Sequence, residues 1–202
     1  LHAEPGIINE DSINEDNPLF PIETITSVNP CVTGDTLVPT NKGLIRADKL
    51  EEGMLTWNPL KKQMDKITSV HNNGIKDIYE VILENGLTLR ATLEHKLKVT
   101  GSNFEGILLP VSNLEIGQKV HTIMHVETNG DELVFEQFTG LNSATECLFE
   151  IVSIRSAGRE IVYDITVPDD YMWVTNGFVS LDCAEYLGQD KSVCNLGSIN
   201  LY

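Results

Sequence analysis

Four short stretches of this 202-residue chain hold side chains suited to acyl chemistry. The first opens at Cys31, directly after Pro30, and reads Cys31-Val32-Thr33-Gly34-Asp35-Thr36. A thiolate is a strong nucleophile, and this sulfur can reach the preceding carbonyl, that of Pro30, through a five-membered ring at high effective concentration. For an isolated cysteine the competing reading is a buried packing residue. The second stretch is Thr92-Leu93-Glu94-His95. Expelling an amine requires a proton, which a histidine can deliver near neutral pH. The Thr92 hydroxyl can hold the scissile carbonyl or amide in a distorted, reactive geometry. A histidine that merely packs is the alternative. The third is Val162-Tyr163-Asp164-Ile165-Thr166-Val167, where a carboxylate among strand formers is costly unless hydrogen-bonded. There Asp164 can tune a thiol or relay a proton, or it can face water on an edge strand. The fourth runs Asn176-Gly177-Phe178-Val179-Ser180-Leu181-Asp182-Cys183. The Asp182 carboxyl can close on its own carbonyl and break the bond to Cys183, itself a second nucleophile.

The elements that must position these groups are strands. Apolar-alternating runs at Leu44–Ala47, Ile78–Leu83, Leu87–Ala91, Lys96–Val99, Lys119–Met124, Leu148–Ser153 and Ile161–Val167 predict short β-strands. Asn73-Gly74, Asn85-Gly86, Asn129-Gly130 and Asn176-Gly177 predict tight reversals, because both residues tolerate positive φ. No long amphipathic pattern predicts a helix. An internal echo, Ala47–Met54 against Val111–Gln118, predicts a short helical turn before a new strand in each of two related halves. The first 30 residues differ in texture: they hold six acids, four prolines and no Lys or Arg, which leaves them unable to close a core alone.

The whole chain carries 30 acidic and 14 basic residues, a formal charge of −16. That balance argues against a nucleic-acid partner, which needs a basic face. No apolar run approaches bilayer length, and the opening residues do not read as a signal peptide. The four cysteines, Cys31, Cys147, Cys183 and Cys194, are too scattered for a disulfide framework or a zinc site. The expectation is a cytoplasmic monomer with no membrane partner. Cys147 is read as a packing residue.

Taken in order, the four stretches resemble the blocks of inteins, the self-excising domains of the Hedgehog/intein (Hint) fold. The opening Cys31, the Thr92–His95 block, the Tyr163-Asp164 strand and the closing Phe178–Asp182 strand followed by Cys183 all match. The resemblance covers Cys31–Asp182, 152 residues. It implies an all-β horseshoe of antiparallel strands with pseudo-twofold halves, and it implies splicing. Cys31 would attack Pro30, with Thr92 and His95 activating the amide. Cys183 would then take the acyl group, Asp164 controlling thiol ionisation, and Asp182 would cyclise. No cofactor or metal is implied. Only about fifty residues part His95 from Leu148. These read as strand and loop, so a mini-intein without a homing endonuclease is expected.

Residues 1–30 and 183–202 would then be flanking exteins. Joined at Pro30–Cys183 they resemble the active-site stretch of ribonucleotide reductases, most closely the adenosylcobalamin-dependent class. By that resemblance Cys183 is the thiyl-radical cysteine, Asn29 and Glu185 orient substrate, and Cys194 is a redox thiol. Ala184 stands where the family usually has Gly.

Two departures from the intein pattern stand out. The family usually ends in His-Asn, and here the pair is Leu181-Asp182; a further histidine is common near Tyr171, and none is present. The last cleavage would run through a carboxyl anhydride and respond to pH, with Tyr171, Asp164 or water protonating the leaving amine. Competing readings are a Hedgehog-type autoprocessing domain, which would not need Cys183, and a plain reductase fragment.

Overall fold

In the computed structural model the described residues are 30–101, 106–129, 132–137, 144–168 and 171–181. They fall within one compact unit, Asn29–Ala184. Every pair of strands in it runs antiparallel, and among the described residues there is no α-helix, so none is long and apolar enough to cross a membrane. The all-β expectation holds.

Among the described residues fourteen strands form two sheets. The larger takes the order β1 (Val32–Thr33), β7 (Thr88–Ala91), β6 (Ser69–Leu83), β12 (Ala144–Thr166), β10 (Lys119–Asn129), β14 (Phe178–Leu181), β8 (Lys96–Thr100), β9 (Gly106–Pro110). β11 (Glu132–Gln137) adds to β10, and β13 (Met172–Thr175) to β14. The smaller sheet is β3 (Gly43–Arg46), β2 (Leu37–Thr40), β4 (Leu55–Asn58), β5 (Gln63–Lys66). The core lies where Val32, Val81, Leu89, Ala91, Leu97, Val99, Val120, Ile151, Ile165, Trp173 and Phe178 meet, each withdrawn from water. Burial on this scale, at about 25 cal/mol per Å² of apolar surface, is what holds strands with so few local constraints.

The echo seen in the sequence is a structural duplication. Ala47–Lys49 and Val111–Asn113 each form a single 3₁₀ turn. The backbone bonds around them match pair for pair. Thr36 N–H donates to Thr33 O (3.0 Å) as His95 N–H does to Thr92 O (3.2 Å). Ala47 to Thr36 (2.7 Å) mirrors Val111 to His95 (2.9 Å), and Asp48 to Gly34 (3.0 Å) mirrors Ser112 to Leu93 (2.9 Å). Gly53 donates to Ile67 (2.9 Å) as Gly117 does to Ile151 (2.8 Å). By this correspondence Val32 and Ala91 are equivalent, and they pair with each other across β1 and β7.

Two sequence expectations are corrected. The strands expected at Leu148–Ser153 and Ile161–Val167 run together in one 23-residue strand, β12, which pairs with β10 up to Glu150 and with the 15-residue β6 from Ile151 to Thr166. The intervening residues gave no strand signal because Arg155 and Arg159 sit in water, engaging Glu80 and Asp77 across the ribbon. Asn73-Gly74 is no reversal either. Asn72 pairs with Tyr163 and Ile75 with Ile161, so Asn73 and Gly74 together oppose Val162 alone in a β-bulge. Gly74 takes φ 70°, the left-handed conformation that favours glycine. By contrast Asn176-Gly177, at φ 48° and 88°, is the two-residue hairpin turn that the sequence predicts, joining β13 to β14. Asn85-Gly86 lies in the loop from β6 to β7, and Asn129 ends β10, with Gly130 outside the described residues.

Candidate active site

Cys31 is fully buried among Ile78, Val162 and Ala157, at the mouth of β1. Its chain is clamped on both sides to the Thr92 residue: Cys31 N–H donates to Thr92 Oγ1 (3.2 Å), and Thr92 N–H donates to Cys31 O (3.0 Å). The structure thus brings together Cys31 and Thr92, 61 positions apart in the chain. The amide nitrogen that must leave in an acyl shift is the one the threonine hydroxyl holds.

His95 closes the same turn, its N–H bonded to Thr92 O (3.2 Å), and it is completely buried. Burial penalises the imidazolium and lowers the His95 pKa to about 3, so the ring is neutral at physiological pH. Its Nε2 lies 3.1 Å from Ser180 Oγ, which in turn lies 2.5 Å from Thr175 Oγ1. Nδ1 is buried with no hydrogen-bond partner among the described residues.

Asp164 sits on β12, buried. β1 pairs with β12 as Val32 with Tyr163 and Thr33 with Val162. Extended by one residue, that register sets Cys31 across from Asp164, and cross-strand partners share a sheet face. On its other side Asp164 pairs with His71 of β6. The water-facing edge-strand alternative for Asp164 is therefore excluded. Tyr163 explains Gly34 as well: a Cβ there would come within 2.9 Å of the Tyr163 ring.

The closing strand reaches the same place. Ser180 pairs with Leu97 and Leu181 with Lys96, the residue directly after His95. Asp182 follows Leu181 immediately, and Asp182 and Cys183 lie outside the described residues, as do Asn29, Glu185 and Cys194. Pro30 is described and half-buried. Tyr171 takes φ 57°, a strained conformation at the entrance to β13. Cys147 lies partly exposed on β12, where burial and the neighbouring Glu146 raise its pKa and lower its thiolate fraction.

One polar contact escaped the sequence. Asn73 Nδ2 donates to Cys31 Sγ at 3.1 Å, delivered there by the bulge in β6. That contact gives the sulfur a polar donor in otherwise apolar surroundings. The signal was present as Asn-Gly, but that dipeptide announces a turn far more often than a bulge. Nothing local in the closing strand marks Ser180 as a partner of a residue 85 positions away.

Among the described residues no group of His, Cys, Asp and Glu could hold a metal ion. The site sets a buried thiol, whose amide Thr92 clamps, beside the turn that also carries a neutral imidazole.

Comparison with known proteins places both levels of the chain. The Ssp DnaB mini-intein variant M86 superposes with a TM-score of 0.61 at 19% identity, covering 80% of this chain and 99% of that one. The DnaB intein from Synechocystis sp. PCC 6803 gives 0.59 at 19% identity (76% and 99%), and the gp41-1 intein 0.56 at 16% (76% and 98%). At such identities the likeness establishes the fold. A family profile described as ribonucleotide reductase, barrel domain, matches residues 2–202, running through both flanks and across the β domain. The chain belongs to the ribonucleotide reductase barrel-domain family and carries within it a domain of the mini-intein fold.

Proposed function

We propose that residues 31–182 excise themselves and join Pro30 to Cys183. The observation that carries this reading is that one turn, Thr92–His95, touches both ends of the domain: Thr92 clamps the Cys31 amide, while His95 and Lys96 engage the last strand. A domain built only to pack would not need its two ends held by one turn.

In the first step Cys31 sulfur attacks the Pro30 carbonyl. The S–C bond forms, the C–N bond breaks, and the thiol proton passes by way of His95 to the departing amine. Thr92 holds that nitrogen out of conjugation with its carbonyl. Neutral at rest, His95 can give a proton only after taking one, as a paired base and acid does in acyl transfer. Cys183 then takes the acyl group from Cys31, with Asp164 on the adjoining strand controlling thiol ionisation. Asp182 closes on its own carbonyl to an anhydride, freeing Cys183 as an amine, and water opens the anhydride. A spontaneous S–N shift leaves the Pro30–Cys183 amide.

None of these steps calls for a cofactor; adenosylcobalamin would serve only the intact host reductase, where Cys183 would carry the radical, Asn29 and Glu185 would orient substrate, and Cys194 would supply a redox thiol. Because the insert parts Asn29 from Cys183 and Glu185, the unspliced chain is expected to reduce no nucleotide.

Mass spectrometry of the expressed chain tests the reading. Splicing gives products of 152 and 50 residues. A 30-residue fragment ending at Pro30, with no 50-residue product, would instead indicate autoprocessing of the Hedgehog type. A Cys31→Ala chain that still ligates would remove the first step.

A further inference from the structure

Three fully buried groups form a chain at the heart of the domain: His95 Nε2, Ser180 Oγ at 3.1 Å, and Thr175 Oγ1 a further 2.5 Å on. Thr175 ends β13 and Ser180 lies in β14, across the hairpin turn. A neutral imidazole carries one N–H, and which nitrogen bears it is set by the hydrogen bond the other side of the ring makes. Here only Nε2 has a partner among the described residues, while Nδ1 is buried and unbonded.

We propose that Ser180 is a positioning residue for the acyl shift: by accepting Nε2–H of His95 it leaves Nδ1 as the bare nitrogen that takes up and hands on the proton. This rests on the splicing reading above. The Ser180 hydroxyl proton then has its own acceptor in Thr175 Oγ1, so both links run in one direction. The reverse order, with Ser180 donating to Nε2, would put a hydrogen on Nδ1 and leave the neutral ring with no site for the thiol proton. The same acceptor stabilises the imidazolium once it forms, in surroundings that otherwise penalise it. Because Ser180 lies two residues before Asp182, the group that sets up the first step belongs to the strand leading to the last. Acyl transfer at Pro30 is thereby made conditional on β14 being docked.

The test uses the full chain carrying Asp182→Ala and Cys183→Ala, which stops at the thioester. Added dithiothreitol releases the 30-residue fragment at a rate that reports the first step. General acid–base catalysis contributes roughly 10²–10⁴-fold, so Ser180→Ala, which keeps the ring but loses its orientation, should slow release by about tenfold or more. Ser180→Thr, which restores a hydroxyl, should recover most of the rate. Imidazole ¹⁵N shifts in the inert Cys31→Ala, Asp182→Ala chain should show His95 with Nε2 protonated and Nδ1 bare, and the added Ser180→Ala should mix the tautomers. A Nδ1–H ring in the chain with Ser180 intact overturns the proposal, and that measurement stands even if the alanine variant fails to fold. Release from Ser180→Ala at the parental rate overturns it equally. No release from the parent would sink the splicing reading instead, and the tautomer would still decide the role of Ser180.

Discussion

The two halves of the domain share a backbone and differ in chemistry. In the first, Thr33–Thr36 precedes β2; in the second, Thr92–His95 precedes β8, with the same turn bond and the same bonds to a following 3₁₀ turn. Their side chains diverge. Thr33 Oγ1 spends its proton locally, on Asp35 Oδ1 at 2.7 Å, whereas Thr92 Oγ1 accepts the amide of Cys31. Thr36 and His95 occupy equivalent places and are both buried, but only His95 can exchange a proton in a useful range. Gly34, pressed against Tyr163, stands where the second half has Leu93. A duplicated scaffold thus offers two equal cradles, and the proposed chemistry uses the one that holds Cys31.

The sharpest way to break this comparison is to cut both cradles at the same point. His95→Ala should cost roughly 10²–10⁴-fold in the rate at which thiols release the fragment ending at Pro30. Thr36→Ala should leave that rate within about threefold, since it removes a hydroxyl from a turn with no scissile bond. Equal losses in the two variants would mean that turn integrity, not proton transfer, limits the reaction. Next in size is the pair Thr92→Ala and Thr33→Ala. The first removes a side-chain acceptor of the Cys31 amide and should slow release about tenfold, the worth of one hydrogen bond. The second should lower stability by about 1 kcal/mol and leave the chemistry alone.

Acid should also tell the halves apart. Burial holds His95 at about 3 when folded, against an ordinary value of 6.5, so between those pH values the unfolded chain binds a proton that the folded chain refuses. Stability contributed by the neutral ring is present above 6.5 and is lost as pH falls towards 3. Asp35, Asp65 and Glu146 are opposed by burial, yet their hydrogen bonds and cations hold them below 3.8, 3.8 and 4.5, so their stabilisation fades only at lower pH. A falling denaturant midpoint between pH 6.5 and 4.5 is therefore expected, and His95→Gln should flatten it. A slope unchanged by that substitution would place the titrating group elsewhere.

Much of this was legible in the sequence for a physical reason. Cys31, Thr92 and His95 declare themselves because each reaction step demands a particular atom, and the echo at Ala47 and Val111 declares the duplication because a 3₁₀ turn needs its own short pattern. Asn73 and Ser180 did not, although they touch the sulfur and the imidazole. Their proximity is created by strand register, through pairing of β6 with β12 and of β14 with β8, which no local propensity encodes. The dipeptide Asn-Gly makes the point within one molecule. At 176–177 the chain reverses on it, while at 73–74 the partner strand continues past on both sides and forces a bulge. The central stretch of β12 escaped for the opposite reason, being a ribbon wetted on its arginine side with no alternation to read.

The smallest expected effect is the most even-handed. Gly53 and Gly117 are equivalent, at φ 87° and 89°, each donating its N–H to a buried isoleucine. A Cβ on Gly53 would meet only Lys66 Cε at 3.8 Å, and one on Gly117 would meet nothing within 4 Å. Steric contact is therefore no part of the cost in either half, and what remains is the left-handed backbone, about 1–2 kcal/mol for an L-residue. Gly53→Ala and Gly117→Ala should lower the denaturant midpoint equally, with fragment release unchanged in both. A larger loss of rate from Gly117→Ala would show that the second cradle is tuned in its backbone as well as its side chains. The equivalence would then belong to the fold's ancestry and no longer to its energetics.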